Sequence, residues 1–355
     1  MDKEKRTIIL HSSTGLQDNI FAPNARDGCN EPQICLRNKL HEYGWHLRTA
    51  DDVSLLNCAW VIFYDAMSVI PYAGWRGIAR KFRAKFRRQP LIRPLYEECI
   101  AAGMADKMVL ILNEPPAVSP ENWSPALHDR FKVIFTWNDE LVDNRKYFKF
   151  FFPQPTSFPE TPSVPFEKRR LLVNISMNKK SRHPHELYSK RKKSIEYFEQ
   201  FHLAEFSLYG VGWNRSAGIG EKLCPWMVKR YKSYAGEIKR KADVLPFYRF
   251  SLCYENIDNS PGWISEKIFD SMRCGCVPIY LGAPNVEQFI DRDAFIDRRH
   301  FASDPELAKY LLSVTRQRFD GYLSAMDAFL KSKRFAQFLG STYADTIIRV
   351  LGIEK

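Results

Sequence analysis

Residues 248–281, YRFSLCYENIDNSPGWISEKIFDSMRCGCVPIYL, contain the local pattern that decides the fold. An apolar run ends at Glu255-Asn256, a loop rich in Pro, Gly, Asn, Asp and Ser follows, and a helix is predicted from about Ile264. A second apolar run, Val277–Leu281, closes the unit. The order strand, loop, helix, strand is typical of an open α/β sheet, which binds nucleotides where strand carboxyl ends meet helix N-termini. We therefore expect a binding site at this edge of the sheet.

The same alternation of short strands and helices runs through most of the chain and predicts an α/β protein with parallel sheets. Predicted strands cover 7–10, 45–48, 60–64, 108–112, 133–137, 171–176 and 206–209, predicted helices cover 34–43, 96–103 and 186–201, and 302–351 reads as largely helical. A proline-rich stretch within 153–169 cannot continue a helix or a central strand, so it is predicted to be a linker. The predicted domains are therefore 1–152 and 170–335, with 336–355 as a C-terminal helix that can pack back across them.

Composition favours a globular protein with an anionic ligand. The chain has 355 residues and a net charge of +12, and residues 168–250 hold 19 Lys and Arg against seven Asp and Glu. A local surplus of this size indicates an anionic partner. The eight cysteines form no Cys-x-x-Cys pair, which favours free thiols in a reducing compartment. With neither a signal peptide nor a run of about 20 apolar residues, we expect a cytoplasmic protein.

Three short motifs in the opening stretch resemble the donor-binding signature of the family 10 glycosyltransferases, the α1,3/1,4-fucosyltransferases. They are Tyr254-Glu255-Asn256, Ser265-Glu266-Lys267-Ile268 and Val277-Pro278 to Gly282. Weaker matches are Asn113-Glu114-Pro115, Phe135-Thr136-Trp137, and Asn174-Ile175-Ser176 followed by Arg191. The resemblance implies two Rossmann-like domains facing a cleft (the GT-B type), with 1–152 binding the acceptor and 170–335 binding GDP-fucose. It also implies an inverting reaction that needs no metal.

The residues of the predicted helix N-terminus are candidates for donor binding. Lys267 suits a diphosphate, because the free N–H groups and the dipole of the first turn already favour an anion; the alternative is a solvated surface lysine. Glu266 can accept hydrogen bonds from ribose or sugar hydroxyls, or merely stabilise the helix dipole. Asn256 is a donor ligand or a turn residue. Trp263 packs against the donor or forms a hydrophobic staple for the helix.

Further donor-binding candidates lie upstream. Arg191 belongs to a basic run, which is usually a solvated face, but a guanidinium can hold a diphosphate with two parallel hydrogen bonds. The resemblance selects Arg191 from that run, with Arg182 as the alternative. Tyr209 and Gly210 open a Gly-containing turn after a predicted strand, where glycine allows close backbone approach.

Glu114 is the candidate catalytic base. It follows the apolar run Met108–Leu112 and so stands at a strand carboxyl end, where a carboxylate in a partly dry site can have its pKa raised towards neutrality. The alternative is a loop glutamate fixed by the prolines that follow. Asp291-Arg292-Asp293 has the form of a metal-binding Asp-x-Asp motif, but it lies in a loop beyond the nucleotide unit, so no metal site is predicted.

Residues 78–88, IARKFRAKFRR, are not covered by the resemblance. If helical, the segment is basic and amphipathic, which suits an anionic membrane surface or a lipid-linked acceptor and would place the protein at the inner face of a membrane. The alternative is an exposed, flexible loop with two buried aromatic side chains.

The sequence as a whole predicts a fucosyltransferase that uses GDP-β-L-fucose and an oligosaccharide, lipopolysaccharide or glycolipid acceptor, with no metal cofactor. One alternative is the same fold with another GDP-sugar, and another is a non-catalytic, lectin-like relative. A basic nucleic-acid-binding protein is a third, but the sequence contains no signature of such a fold, and we expect no nucleic-acid partner.

Overall fold

The computed structural model describes residues 6–12, 19–23, 25–51, 53–55, 58–72, 74–86, 91–214 and 229–354. The chain forms two compact units. The N-terminal unit comprises Met1–Thr156 together with Phe338–Lys355, and the C-terminal unit comprises Ser157–Gln337. Residues 338–355, which lie within the predicted C-terminal helix 336–355, are thus part of the N-terminal unit.

The N-terminal unit is built on a six-stranded parallel sheet. Its strands are β1 (Thr7–His11), β2 (His46–Thr49), β3 (Cys58–Tyr64), β4 (Met108–Leu112), β5 (Val133–Thr136) and β6 (Tyr147–Lys149), in the order β2-β1-β3-β4-β5-β6. All five residues of β4 are buried, as expected for a central parallel strand covered on both faces. The predicted strands of this half are therefore confirmed, while the three-residue β6 was missed.

In the described residues of the N-terminal unit, five helices precede the linker. They are α1 (Glu31–Glu42), α2 (Asp65–Val69), α3 (Gly74–Phe86), α4 (Leu95–Ala101) and α5 (Pro125–His128). Helix α1 begins three residues before its predicted start and has Pro32 in its first turn. Proline is favoured there because the first N–H groups of a helix have no intrahelical partner. Helix α3 shows that the segment from residue 78 is helical, so the flexible-loop alternative is wrong for its described residues.

The C-terminal unit contains a second six-stranded parallel sheet. Its strands are β7 (Arg170–Ile175), β8 (Phe206–Tyr209), β9 (Tyr234–Gly236), β10 (Tyr248–Tyr254), β11 (Val277–Leu281) and β12 (Ile296–Asp297), in the order β12-β11-β10-β7-β8-β9. Tyr254 pairs with Leu281 at the carboxyl ends of β10 and β11. The predicted pair of Rossmann-like α/β units is thus confirmed.

Helices complete the C-terminal unit. They are α6 (Tyr188–Phe201), α7 (Glu266–Arg273), α8 (Asp304–Ser313), α9 (Arg316–Leu330) and α10 (Lys333–Ala336), while α11 (Gly340–Val350) belongs to the N-terminal unit, where it packs on α1. Helix α7 begins at Glu266 rather than Ile264, because Ser265 is the N-cap residue with an extended backbone.

Two further findings concern membrane spans and cysteines. No helix in the described ranges has the length and apolar character needed to cross a bilayer. The seven cysteines in the described part of the chain are free thiols.

Candidate functional site

Glu255 joins the end of β10 to the start of α7. Its side chain has no exposed surface. Its carboxylate accepts hydrogen bonds from the backbone N–H of Ser265 at 2.8 Å and from the Ser265 hydroxyl at 2.8 and 2.9 Å. The ammonium of Lys267 lies 3.0 Å from the second carboxylate oxygen. Glu255 belongs to the quoted motif, but sequence reasoning did not select it as a functional residue.

Lys267 lies in the first turn of α7, as predicted. Its ammonium donates to the Ser265 hydroxyl at 2.8 Å as well as to Glu255. Burial lowers the pKa of Lys267, but the carboxylates of Glu255 and Glu266 outweigh it and raise the pKa above its ordinary value. The side chain therefore carries a positive charge. About a fifth of its surface is exposed.

Glu266 and Asp270 both contact Lys241. The Lys241 ammonium lies 3.2 Å from Glu266 Oε1 and 2.7 Å from Asp270 Oδ2. Burial raises the pKa of Glu266, but the charges of Lys267 and Lys241 more than offset it, so the pKa lies well below its ordinary value. Glu266 is therefore ionised, and here its partner is an ammonium.

Arg191 and Asn256, both predicted donor-binding residues, meet at the carboxyl end of β10. The guanidinium Nη2 of Arg191 donates to the carbonyl oxygens of Tyr254 and Glu255, each at 3.0 Å, and to Asn256 Oδ1 at 3.5 Å. Its Nε is buried without a hydrogen-bond partner. Burial lowers the pKa of Arg191, but a guanidinium remains charged. Arg182, the alternative, is exposed.

A pocket opens where β7 and β10 end, and three cationic side chains line it. Its lining residues are Ile175, Ser176, Arg191, Lys241, Leu245, Ser251, Leu252, Cys253, Tyr254 and Lys267. Of the three cations, Lys241 was missed by sequence reasoning. The only signal was the surplus of positive charge in residues 168–250, which does not distinguish one lysine from another.

Tyr209 and Gly210 lie at the end of β8, beside the end of β7. The Tyr209 hydroxyl lies 3.4 Å from that of Tyr248, and burial raises the pKa of Tyr209 to about 12. Gly210 has a φ of +118°, and a Cβ at this position would lie 2.1 Å from the carbonyl oxygen of Ser176. The close approach that requires glycine is thus to the neighbouring backbone.

Trp263 is buried, with 2% of its surface exposed. Its carbonyl oxygen accepts a hydrogen bond from the Tyr280 hydroxyl at 3.2 Å. The indole therefore packs within the C-terminal unit in this structure.

In the N-terminal unit, Asp65 and Asn122 fix the backbone around Glu114. Asp65 Oδ1 accepts hydrogen bonds from the N–H of Asn113 at 2.7 Å and of Glu114 at 3.1 Å. The carbonyl oxygen of Glu114 accepts from Asn122 Nδ2 and from Trp123 Nε1, each at 3.1 Å. The backbone of the candidate base is therefore held on both sides, and its side chain is partly exposed.

Asp65 itself has the features of a functional residue that sequence reasoning missed. It follows β3 directly and has a φ of +58°, a conformation uncommon outside glycine. Burial raises the pKa of Asp65 to about 6, even though hydrogen bonds from Glu114, Asn113 and Asn122 lower it. An acidic residue immediately after a buried strand was the signal that could have found it.

Two groups of side chains contain carboxylates of the kind that bind metal ions. Asp291 of the Asp-x-Asp sequence forms an ion pair with Arg334. Within the described ranges, Glu287, Asp297 and His300 also place possible ligand atoms within 4.8 Å of one another. Arg299 lies 2.6 Å from Asp297 and 3.9 Å from Glu287. Arginine thus already compensates these carboxylates, and we assign no metal to either group.

The two Rossmann-like units define a protein of the GT-B glycosyltransferase fold class. The chain is similar over 98% of its length to a crystal structure of an α1,3-fucosyltransferase with GDP-fucose (TM-score 0.53, 15% identity, 90% of that chain). It is also similar to Anabaena HepE in complex with UDP and glucose (TM-score 0.53, 11% identity, 98% of this chain and 99% of that one). At these identities the likeness establishes the fold alone.

The C-terminal unit can be placed more narrowly. Residues 169–334 match the sequence model of the C-terminal region of glycosyltransferase family 10 (fucosyltransferase), and this part of the chain belongs to that family. The resemblance noted in the sequence is thereby confirmed.

Individual relatives match stretches of 64 to 218 residues. The chain is 28% identical to rat alpha-(1,3)-fucosyltransferase 7 over 218 residues. This match covers 59% of this chain and 49% of the rat protein. It is 32% identical over 74 residues to Helicobacter pylori alpha-(1,3)-fucosyltransferase FucT (21% of this chain, 15% of that protein). An Arabidopsis thaliana alpha-(1,4)-fucosyltransferase is 41% identical over 64 residues (18% and 16%). The chain thus spans about half the length of the rat relative.

Proposed function

We propose that this protein is an inverting fucosyltransferase that moves L-fucose from GDP-β-L-fucose to a hydroxyl of a glycan acceptor, in an α1,3-type linkage. The observation that carries the proposal is the pocket at the ends of β7 and β10, where Arg191, Lys241 and Lys267 converge beside the N-terminus of α7. Three cations and a helix N-terminus suit a diphosphate. Membership of the C-terminal unit in family 10 supports fucose as the sugar.

In this proposal the pocket binds the diphosphate of the donor. Arg191, Lys241 and Lys267 neutralise the negative charge that grows on departing GDP, which is electrostatic catalysis by preorganised groups and requires no metal cofactor. Asn256, Tyr209, Gly210 and Trp263 hold or shape the remainder of the donor site.

Glu266 has a conditional role in the proposed mechanism. Lys241 lies 3.2 Å from it in this structure. A diphosphate that competes for Lys241 would release Glu266 to accept hydrogen bonds from the hydroxyls of the donor.

The proposed reaction is a single displacement. The acceptor oxygen forms a bond to the anomeric carbon as the bond from that carbon to the diphosphate oxygen breaks, so the configuration changes from β to α. Glu114 takes the proton of the attacking hydroxyl, and GDP leaves with the electron pair of the broken bond. Asp65 acts as a positioning residue by holding the backbone N–H of Glu114.

The test is GDP release from GDP-fucose, with and without a chelator, across oligosaccharide, lipopolysaccharide and glycolipid acceptors. We expect turnover that persists in the chelator. Transfer from another GDP-sugar in preference to GDP-fucose would favour the same fold with a different donor. GDP binding without turnover would favour a lectin-like relative. Salt-sensitive binding of nucleic acid without donor turnover would favour a nucleic-acid-binding protein.

Lys241 supplies a sharper test of the pocket. Lys241→Gln should weaken GDP binding about tenfold, since one charge-assisted contact is lost. Lys239→Gln, at an exposed lysine two residues earlier, is the matched control. Equal affinities for the two variants in calorimetry would contradict the assignment of Lys241 to the diphosphate.

A further inference from the structure

Helix α3 exposes a continuous apolar stripe. Ile78, Phe82 and Phe86 are 54%, 70% and 91% exposed. They are spaced four residues apart, so they lie on one face of the helix, about 6 Å apart along its axis. The two phenylalanines are the most exposed of the large apolar side chains in the described part of the chain. Exposed apolar patches of this kind mark interaction surfaces.

The opposite side of the helix carries two small residues that are less exposed. Gly77 is buried, and a Cβ there would lie 2.2 Å from the carbonyl carbon of Tyr72. Ala84 is half-buried. Gly77 and Ala84 therefore lie on the less exposed side of the helix, while the rings of Phe82 and Phe86 lie on its exposed side.

Positive charge lies beside the stripe. Lys81 and Lys85 are exposed and lie along one border of it. Residues 74–88 contain seven Lys and Arg and no Asp or Glu. An apolar ridge bordered by cations is complementary to a surface with an apolar interior and an anionic boundary.

We propose that α3 binds the surface of an anionic lipid bilayer, lying in the plane of the interface with Ile78, Phe82 and Phe86 inserted. A helix in this position places its apolar face at the boundary of headgroups and acyl chains and its cations among anionic headgroups. The stripe suits this partner better than single-stranded nucleic acid, since rings about 6 Å apart do not match bases stacked about 3.4 Å apart. The proposal depends on the N-terminal unit alone and is independent of the donor pocket.

Co-sedimentation of the full chain with vesicles tests the proposal. We expect at least tenfold stronger binding to vesicles of 70% phosphatidylcholine and 30% phosphatidylglycerol than to phosphatidylcholine alone. Phe82→Ser/Phe86→Ser should reduce that binding at least tenfold, and Lys81→Gln/Lys85→Gln should reduce it and flatten its salt dependence. Unchanged thermal melting of each variant would show that the fold is retained.

The matched control is Phe201→Ser/Leu203→Ser, which removes two apolar side chains, 60% and 38% exposed, at the end of α6. It should bind vesicles as the unaltered protein does. The proposal is overturned if the Phe82/Phe86 variant binds as well as the control variant, or if neutral and anionic vesicles bind equally. It is also overturned if α3 binds a single-stranded oligonucleotide or a second copy of the chain while vesicles fail to bind.

Discussion

The ammonium of Lys267 lies 3.0 Å from a carboxylate oxygen of Glu255, whose side chain is completely buried. A buried carboxylate is costly unless a charge and hydrogen bonds compensate it, and here Lys267 and Ser265 supply both. The lysine assigned to the donor diphosphate is therefore also a structural partner. Its substitution affects stability and binding together, and the two effects must be separated.

The first prediction separates them. Lys267→Met should lower the free energy of unfolding by roughly 3 kcal/mol, because it leaves Glu255 buried and unpaired. Glu255→Gln/Lys267→Met should recover most of that loss in urea denaturation, yet still bind GDP at least tenfold more weakly than the unaltered protein. If the double variant regained full GDP affinity, Lys267 would have no direct role with the diphosphate.

Sequence reasoning located the longer strands, helix α7 and the residues at its start because these features depend on neighbouring residues, but it missed the short strands β6, β9 and β12. Apolar runs such as 277–281 read directly as buried strands, and the residues of the first two motifs, 254–256 and 265–268, lie within 14 positions of one another. The functional candidates that sequence reasoning missed depend on residues far apart in the chain. Lys241 meets Glu266 and Asp270 from 25 and 29 positions away, and Asp65 contacts Glu114 across 49 positions. No local pattern encodes those pairings.

The second prediction concerns Asp65 as the positioning residue for Glu114. Asp65→Asn keeps the side-chain shape and a residue type that tolerates positive φ, but removes the charge that holds the two backbone N–H groups. We expect kcat to fall about tenfold to a hundredfold, while the affinity for GDP is unchanged, because the donor pocket lies in the other unit.

The control for Asp65 is Asp106→Asn, which alters an exposed carboxylate of the same unit, 2.6 Å from the ammonium of the exposed Lys132. Surface pairs of this kind contribute little, so its kcat should be unchanged. A drop in GDP affinity as large as the drop in kcat in Asp65→Asn would point to a general loss of structure and contradict the positioning role.

The third prediction uses two glycines of the C-terminal unit with similar backbone angles. Gly210 has a φ of +118° and Gly236 of +105°, but an added Cβ meets Ser176 O at 2.1 Å in the first case and no atom within 4 Å in the second. Gly236→Ala should therefore cost about 1–2 kcal/mol of backbone strain, and Gly210→Ala distinctly more, roughly 3 kcal/mol or above. Urea denaturation measures both, and equal losses would show that the approach of Ser176 does not constrain Gly210.

The last prediction concerns pH and two groups of the N-terminal unit whose pKa values move in opposite directions. Burial lowers the pKa of His11 to about 4 and raises that of Asp65 to about 6. Between about pH 4 and 6.5 the unfolded chain binds a proton at His11 that the folded chain does not. The contribution of His11 to the free energy of unfolding is therefore complete above about pH 6.5 and is lost as pH falls. Over the same range the folded chain holds a proton at Asp65 that the unfolded chain does not. The contribution of Asp65 to the free energy of unfolding therefore declines as pH rises.

The two pH dependences of the free energy of unfolding oppose each other, and a single variant at each residue should reveal each one. Relative to the unaltered protein, His11→Gln should become less destabilising as pH falls from 6.5 to 4, by about 3 kcal/mol across the range, since His11 is only 1% exposed. Asp65→Asn should instead become less destabilising as pH rises from 4 to 6. Urea denaturation at half-unit pH steps measures both differences. A His11→Gln difference that does not vary with pH would show that the histidine is not held neutral in the folded chain.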